Sequence, residues 1–297
     1  MIKDNLWDQQ LLRLTQALTP LEDKPEETVA ATLKALWVAA AGNPMSVEKA
    51  ADCEIAKLDK TVEKKLIQLV DQRLSGVPLA HLTGFQQFLG VELLAGPQAL
   101  IPRKETEILA QQAAKKLLQL SKQQDEITLL DVCTGAGNLI VTLTLNYPQV
   151  RGYAADLSTD AVELAKENVQ YHQLQDRVTV LQGDLLSPFD REDFYHQVDL
   201  LLCNPPYISS SKVSDMAKEI SQYEPSLAFD GGPFGIKILN ALIKQAPKFL
   251  KSGGWLMFEV GLGQGESFAK RLAKTYQNIQ TAHDKNGEVR VVMGQVV

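Results

Sequence analysis

Little in this chain of 297 residues points to a covalently stapled or metal-built protein. Its three cysteines, Cys53, Cys133 and Cys203, are odd in number and contain no Cys-x-x-Cys pair. That disfavours a disulfide framework or a zinc site and leads us to expect a cytoplasmic, reducing setting. The four histidines, His81, His172, His196 and His283, are scattered without ligand spacing and are expected at surfaces or in turns. Apolar runs fall well short of the roughly 18 residues that cross a bilayer. The opening Met1-Ile2-Lys3-Asp4-Asn5 has no basic stretch followed by an apolar one, so neither a membrane span nor a secretion signal is expected. Positive charge is also scarce: 30 Lys and Arg against 36 Asp and Glu give a net charge of −6. No global field draws such a chain to nucleic acid, and a protein or small-molecule partner fits better. Repeats and low-complexity tracts are missing as well.

What is present is an ordinary globular composition, 45% hydrophobic and 22% charged, with enough apolar content for a real core. The first quarter reads as helices. Leu11, Leu12, Leu14 and Leu18 suggest one apolar stripe, and Pro25 suits the first turn of a second helix. Val29, Leu33, Leu36, Trp37 and Ala40 continue that second helix to Gly42. A further helix over about 61–75 is closed by Gly76, a C′ glycine. The Gly- and Phe-rich stretch Gly84–Gly90 predicts a short hairpin. We therefore expect a helical domain over 1–75, a linker hairpin over 76–97 and a second domain over 98–297. In the second domain the apolar runs Thr128–Cys133, Gly152–Asp156, Val178–Leu181, Val198–Cys203 and Trp255–Val260 alternate with helical stretches such as Thr159–Tyr171. Alternation of this kind predicts an α/β fold with a parallel sheet. Asn278–Thr281 and Val289–Val297 read as two last strands with no helix between them, which makes one strand antiparallel.

The first of these strands runs into Asp131-Val132-Cys133-Thr134-Gly135-Ala136-Gly137-Asn138. Glycines at a strand-to-helix turn let the backbone approach a ligand, and the helix start favours a negative group. Asp156 follows Gly137 by 19 residues, the interval at which a carboxylate accepts ribose hydroxyls. Asp184 and Leu185 end the next strand, placed to meet an adenine amino group and to pack on its ring. Asp131, Thr134, Gly135, Gly137, Asp156, Asp184 and Leu185 are thus candidate cofactor contacts. On these residues alone NAD and S-adenosylmethionine both remain possible.

The fourth strand ends in Asn204-Pro205-Pro206-Tyr207. Consecutive prolines fix φ and remove two donors, leaving outward carbonyls. The Asn204 oxygen and the Pro205 carbonyl form an acceptor pair that can hold an NH₂ group by both hydrogens, with Tyr207 walling the slot. Together with the sheet pattern this favours an S-adenosylmethionine-dependent methyltransferase acting on a planar amide or amino nitrogen. Asn204, Pro205 and Tyr207 are the candidate catalytic residues, Asn204 also a cofactor contact, and Asn204, Pro205, Pro206 and Tyr207 the candidate substrate contacts. Cys203 reads as a small core residue, not a nucleophile.

From about residue 76 onward the chain resembles the HemK/PrmC family of protein-(glutamine) methyltransferases. Leu100-Ile101-Pro102-Arg103-Lys104-Glu105-Thr106-Glu107 resembles the family's LIPRPETE segment. Tyr223-Glu224-Pro225-Ser226-Leu227-Ala228, with Gly231, Gly232 and Gly235, resembles the stretch after its catalytic loop. Asp284, Gly287 and Arg290 fit its D..G..R spacing. The resemblance implies a Rossmann-like, seven-stranded class I methyltransferase fold behind a helical substrate-recognition domain. It implies transfer from S-adenosylmethionine to the glutamine of a Gly-Gly-Gln loop in class I peptide chain release factors, by a monomer. Glu224 would order the loop, while Arg103 and Glu105 would hold domains together or touch a ligand. Cys133 stands where the family carries the first glycine of its motif, Ala136 and Asn138 replace its usual small residues, and Lys104 replaces a proline. Two other functions use the same residues: an amino methyltransferase of adenine or guanine, and a binding module without activity. The acidic composition speaks against the first and the intact Asn204–Tyr207 run against the second.

Overall fold

The structure, a computed structural model, describes residues 5–19, 21, 23–209, 218–229, 231–232 and 236–297. Gly235 of the family-like stretch and the Met1–Asp4 opening lie outside the described residues. The chain forms two compact units, one from 1–97, 101–103 and 217–224, the other from 98–100, 104–216 and 225–297.

The first unit holds α1 (Asn5–Ala17), α2 (Val29–Ala40), α3 (Val47–Ala51), α4 (Lys60–Leu74) and α5 (Leu79–Thr83). The β1 (Phe85–Phe88) and β2 (Val91–Leu94) hairpin follows α5. Its turn is Leu89–Gly90, both at positive φ, which matches the twist of two short antiparallel strands. Helix starts are set by side chains that satisfy free backbone donors. Thr28 accepts from the Ala31 N–H ahead of α2, and Asp59 accepts from Thr61 and Val62 ahead of α4. Because Thr28 caps α2, Pro25 lies in the turn before the helix and not in its first turn as expected. Gly76, at φ +102, closes α4 as the C′ residue. The core joins Leu14, Leu33, Leu36, Trp37, Leu66, Val70 and Leu79.

One expected member of the stripe is absent from this core. Leu12 is 57% exposed whereas Leu14 is fully buried. At about 100° per residue, positions 11, 14 and 18 share a helix face and position 12 turns away from it. Leu14→Ala should therefore cost about 2–5 kcal/mol, and Leu12→Ala no more than about 0.5 kcal/mol. Urea midpoints of the full-length variants measure the contrast, and equal losses would contradict this placement.

The second unit holds α6 (Lys104–Leu120), β3 (Ile127–Val132), α7 (Asn138–Asn146), β4 (Val150–Asp156), α8 (Thr159–Tyr171), β5 (Val178–Gln182) and β6 (Val198–Cys203). The helix α9 (Lys218–Tyr223) that comes next along the chain belongs to the first unit. The second unit then continues with α10 (Lys237–Gln245), β7 (Leu250–Glu259), α11 (Gly265–Leu272), β8 (Gln277–His283) and β9 (Val289–Gln295). Its seven strands run in the order β5-β4-β3-β6-β7-β9-β8. All neighbours pair in parallel except around β9, which is antiparallel to both β7 and β8. Buried strands such as β6, with no exposed residue, read as unbroken apolar runs because both faces are covered. Helices α7 and α8 pack on β3–β5, and α6 and α11 on β7–β9.

Strand β7 begins five residues earlier than its apolar run implied. Gly253 at φ +79 and the register shift opposite Val198–Leu200 carry it through a bulge. A Cβ on Gly254 would stand 2.9 Å from the Val198 carbonyl oxygen, so only glycine fits the approach. From β3 the chain winds outward through β4 and β5, then returns to the other side of β3 with β6. That reversal sets the topological switch point at the carboxyl ends of β3 and β6, where ligands of open α/β sheets bind.

Candidate active site

The candidate residues of the second unit sit at or just beyond the carboxyl ends of strands. After β3 the backbone turns left-handed at Cys133 (φ +58), Gly135 (φ +56) and Gly137 (φ +80). Gly137 ends the turn as the N-cap of α7, and a Cβ there would lie 3.3 Å from the Ala165 Cβ of α8. A Cβ on Gly135 would meet nothing within 4 Å, so the turn leaves open room in front of its backbone. Cys133 bears a side chain in a conformation that costs an ordinary residue about 1 kcal/mol.

Asp131 is fully buried at the base of this turn and accepts a 2.6 Å hydrogen bond from the Thr134 hydroxyl. Burial pushes its carboxyl up to about 7, held back in part by hydrogen bonds from Thr134 and the Ile140 N–H. Asp156 ends β4. One of its oxygens accepts from the Gly135 N–H and the other from the Ser158 N–H, both at 2.9 Å. Burial raises this carboxyl too. A carboxylate has about four lone-pair sites, so Asp156 fixes the glycine turn and still has acceptors for a ligand. Beyond β5, Asp184 is exposed, and Leu185, at φ +49, is buried in the core of the unit.

Strand β6 delivers Asn204, Pro205, Pro206 and Tyr207, of which Pro205 is buried and the other three partly so. The Asn204 Nδ2 donates to the hydroxyl of Thr106 in the first turn of α6, at 2.9 Å. The Tyr207 hydroxyl donates to Glu259 Oε1 at 2.8 Å. Arg290 adds an Nη2 donor 3.4 Å from the Tyr207 oxygen and lies 3.8 Å from the Glu259 carboxylate. Burial is the main influence raising Glu259; hydrogen bonds from Thr106 and Tyr207 and the Arg290 charge pull the other way. Burial, reinforced by the Glu259 charge, drives the Tyr207 phenol well above its ordinary value, which excludes it as a phenolate base. The backbone of this run is also pinned, since Gln264 Nε2 donates to the Tyr207 carbonyl at 3.2 Å.

Other singled-out residues do different work. Glu224 accepts from the Ile101 N–H and from Arg103, and Arg103 also pairs with Asp23, so both are spent on holding the first unit together. Cys203 is a fully buried thiol in β6, as expected. His172 is partly buried, while His196 and His283 are exposed. His81 departs from expectation: it is half-buried in α5, and burial with the Lys24 charge lowers it to about 4. Asp284 shapes the β8–β9 turn by accepting from Asn286 and Glu288, Gly287 turns it at φ +82, and Arg290 follows on β9.

Residues 109–232 match the family model described as the methyltransferase small domain. The release factor glutamine methyltransferase of Geobacter sulfurreducens is 34% identical over 229 residues, 77% of this chain and 76% of that one. That of Moorella thermoacetica is 35% identical over 226 residues, 75% of this chain and 76% of that one. The chain belongs to the release factor glutamine methyltransferase family. Its fold is shared with the N-terminal domain of human METTL16 in complex with SAH, at TM-score 0.50 and 16% identity, over 69% of this chain and 75% of that one. As a methyltransferase of this family it uses S-adenosylmethionine, and the open room at Gly135 beside the acceptors of Asp156 fits such a nucleoside.

Two members of the site went unassigned in the sequence. Thr106 lies inside the LIPRPETE-like segment with no role given to it, and Glu259 was counted only as part of an apolar strand. The signal for Glu259 was present: a carboxylate closing a ten-residue strand with four buried residues at its end requires a partner. Among the described residues no helix is long and apolar enough to cross a membrane.

Proposed function

We propose that this member of the glutamine methyltransferase family methylates the side-chain nitrogen of the glutamine in a Gly-Gly-Gln loop of a class I peptide chain release factor. The observation that supports it is the position of the Asn204–Tyr207 run at the end of β6, next in the sheet to the strand that ends in the glycine turn. The names of the relatives support the choice of substrate.

S-adenosylmethionine, when bound, supplies an activated methyl group on a sulfonium. Asp131, Thr134, Gly135 and Gly137 would hold its amino acid end, Asp156 would accept from the ribose hydroxyls, and Asp184 and Leu185 would border the base. Asn204 Oδ1 and the Pro205 carbonyl each accept one N–H of the glutamine amide. The amide nitrogen is then fixed in place with one lobe turned to the methyl, while polarisation of both N–H bonds raises its electron density. A delocalised amide is a poor nucleophile, so alignment of this kind supplies most of what the protein can add. After transfer the nitrogen gives its surplus proton to water. Glu259 takes no part in that step, because its carboxylate is engaged with Tyr207 and Arg290. Pro206 stiffens the run and Tyr207 closes the slot. In this scheme residues 1–75 recognise the release factor, 76–97 link, and 98–297 carry the chemistry.

The test uses the full-length enzyme with labelled S-adenosylmethionine. Label should appear in a purified class I release factor and vanish when the Gly-Gly-Gln glutamine is replaced by alanine. Label found only in RNA or DNA supplied in parallel would refute the assignment.

A further inference from the structure

The substrate slot is built on a run that cannot anchor itself. Pro205 and Pro206 have no N–H to tie down their own backbone, and with φ locked at both, the run between Cys203 and Tyr207 is stiff. Whatever fixes its far end therefore sets the direction of the Pro205 carbonyl. We propose that Gln264 is the positioning residue that does so, bracing the Tyr207 carbonyl against the turn after β7. The inference rests on the proposed acceptor role of the Pro205 carbonyl and adds the device that aims it.

Gln264 ends a tight turn that closes on itself twice. Its N–H donates to the Gly261 carbonyl at 3.1 Å, and its Oε1 accepts from the Gly261 N–H at 3.0 Å, with Gly263 left-handed between them at φ +75. Val260 and Gly261 are buried just past β7, the strand that pairs with β6, so the turn is a firm base. The other end of the carboxamide, Nε2, donates to the Tyr207 carbonyl at 3.2 Å. A backbone donor on one side and a backbone acceptor on the other leave the amide a single orientation. Turned over, it would set N–H against N–H and oxygen against oxygen. No charge takes part, so the direction does not depend on any neighbour's protonation. Gln264 also occupies the N-cap position of α11, yet its side chain makes no capping bond to that helix. Its polar atoms serve the bridge from Gly261 to Tyr207 instead. The Tyr207 ring leans on the same turn: a Cβ on Gly261 would lie 3.0 Å from Tyr207 Cδ2, so the ring packs on bare backbone. With its hydroxyl donating to Glu259 at 2.8 Å, Tyr207 is thus held at ring tip, ring edge and carbonyl. The start of the run is held separately, through the Asn204 donation to Thr106.

The experiment compares Gln264→Met and Gln264→Glu with the parent in the full-length enzyme. The readouts are kcat and KM for a purified release factor, calorimetry with S-adenosylmethionine and thermal melting. Methionine keeps the length of glutamine and removes both polar ends, so kcat should fall about 10- to 100-fold, the scale at which a small misplacement of a reacting group is felt. The Ile208 N–H still donates to the Phe229 carbonyl at 3.0 Å, so the segment stays in place and only its aim is lost. KM for the release factor and affinity for the cofactor should therefore each move by less than about threefold. Glutamate separates the brace from the turn. Its carboxylate still accepts from the Gly261 N–H but meets the Tyr207 carbonyl oxygen to oxygen, so kcat should fall at least as far as in Gln264→Met. If Gln264 served only to shape the turn, Gln264→Glu would keep the parental kcat, and that result overturns the proposal. A folded Gln264→Met within about threefold of the parental kcat overturns it equally. Should Gln264→Met not fold, Gln264→Glu decides alone. A parent enzyme that leaves the release factor unlabelled refutes the proposed function and this brace with it. A parent that labels the release factor beside an equally fast Gln264→Glu refutes the brace alone.

Discussion

Asn204→Ala should lower the rate of methyl transfer about 10²- to 10³-fold, a loss of roughly 3–4 kcal/mol of transition-state stabilisation. Alanine removes one of the two acceptors for the amide N–H groups and leaves the Pro205 carbonyl alone. A nitrogen held by one hydrogen can swing, and the alignment that makes a weak nucleophile productive is lost. Substitution also strands the Thr106 hydroxyl, now without the Asn204 donor at 2.9 Å. Cofactor affinity should change by only a few-fold, because the glycine turn and Asp156 hold each other without reference to Asn204. Single-turnover transfer from labelled S-adenosylmethionine measures the first quantity and calorimetry the second. A variant that retains a third or more of the parental rate would remove Asn204 from the chemistry.

Asp156→Ala should act on the other side of the site, weakening S-adenosylmethionine binding by about 10²-fold or more. The carboxylate is asked to do two things at once. It accepts the Gly135 N–H at 2.9 Å, which sets the turn after β3, and the Ser158 N–H at 2.9 Å, which leads into α8. It is also to accept from the ribose. Hydrogen bonds to a charged acceptor contribute about 1.5–3 kcal/mol each, so loss of two to the ligand alone accounts for the effect. Asp156→Asn keeps the shape but exchanges one acceptor for a donor facing an N–H, and should fall between the two. Equilibrium binding across the three proteins gives the ranking, and an alanine variant with parental affinity would place the ribose elsewhere.

How much of this was legible before the structure depends on how far apart the cooperating residues lie. The glycine turn, Asp156 and the Asn204–Tyr207 run could be read because each occupies a few consecutive residues at a strand end, where the local pattern carries the meaning. The antiparallel character of a last strand was also readable, since two strands without a helix between them leave little choice. That β9 inserts between β7 and β8 was not, because pairing partners leave no periodic trace. Thr106 and Asn204 are 98 residues apart, and Arg103 and Glu224 are 121 apart. Thr106 looks in sequence like an unremarkable helix start, and although Glu224 was expected to order a loop and Arg103 to hold domains together or touch a ligand, nothing local marks the two as a pair. Leu12 was misplaced by counting apolar residues without their angle, and β7 was cut short because Gly253 and Gly254 resemble a loop until the bulge they permit is seen. Cys133 is the reverse case: the sequence flagged it as a departure, and the backbone holds it at φ +58 all the same.

The return of α9 and Glu224 to the first unit bears on how such a protein can be inherited in parts. Glu219 of α9 pairs with Lys24 at 3.0 Å and Arg73 at 2.9 Å, and both cations are nearly fully buried. Glu224 likewise serves Ile101 and Arg103. Two separate stretches of gene, one before residue 104 and one near 220, thus encode a single set of buried charges. Recombination with a diverged relative at one crossover would exchange the first without the second and bury cations against a stranger's residues, at a cost of about 3–5 kcal/mol for each broken pair. Exchange of the N-terminal part is therefore expected to succeed only when the α9 stretch travels with it, so the two stretches should change together through descent although more than a hundred residues part them.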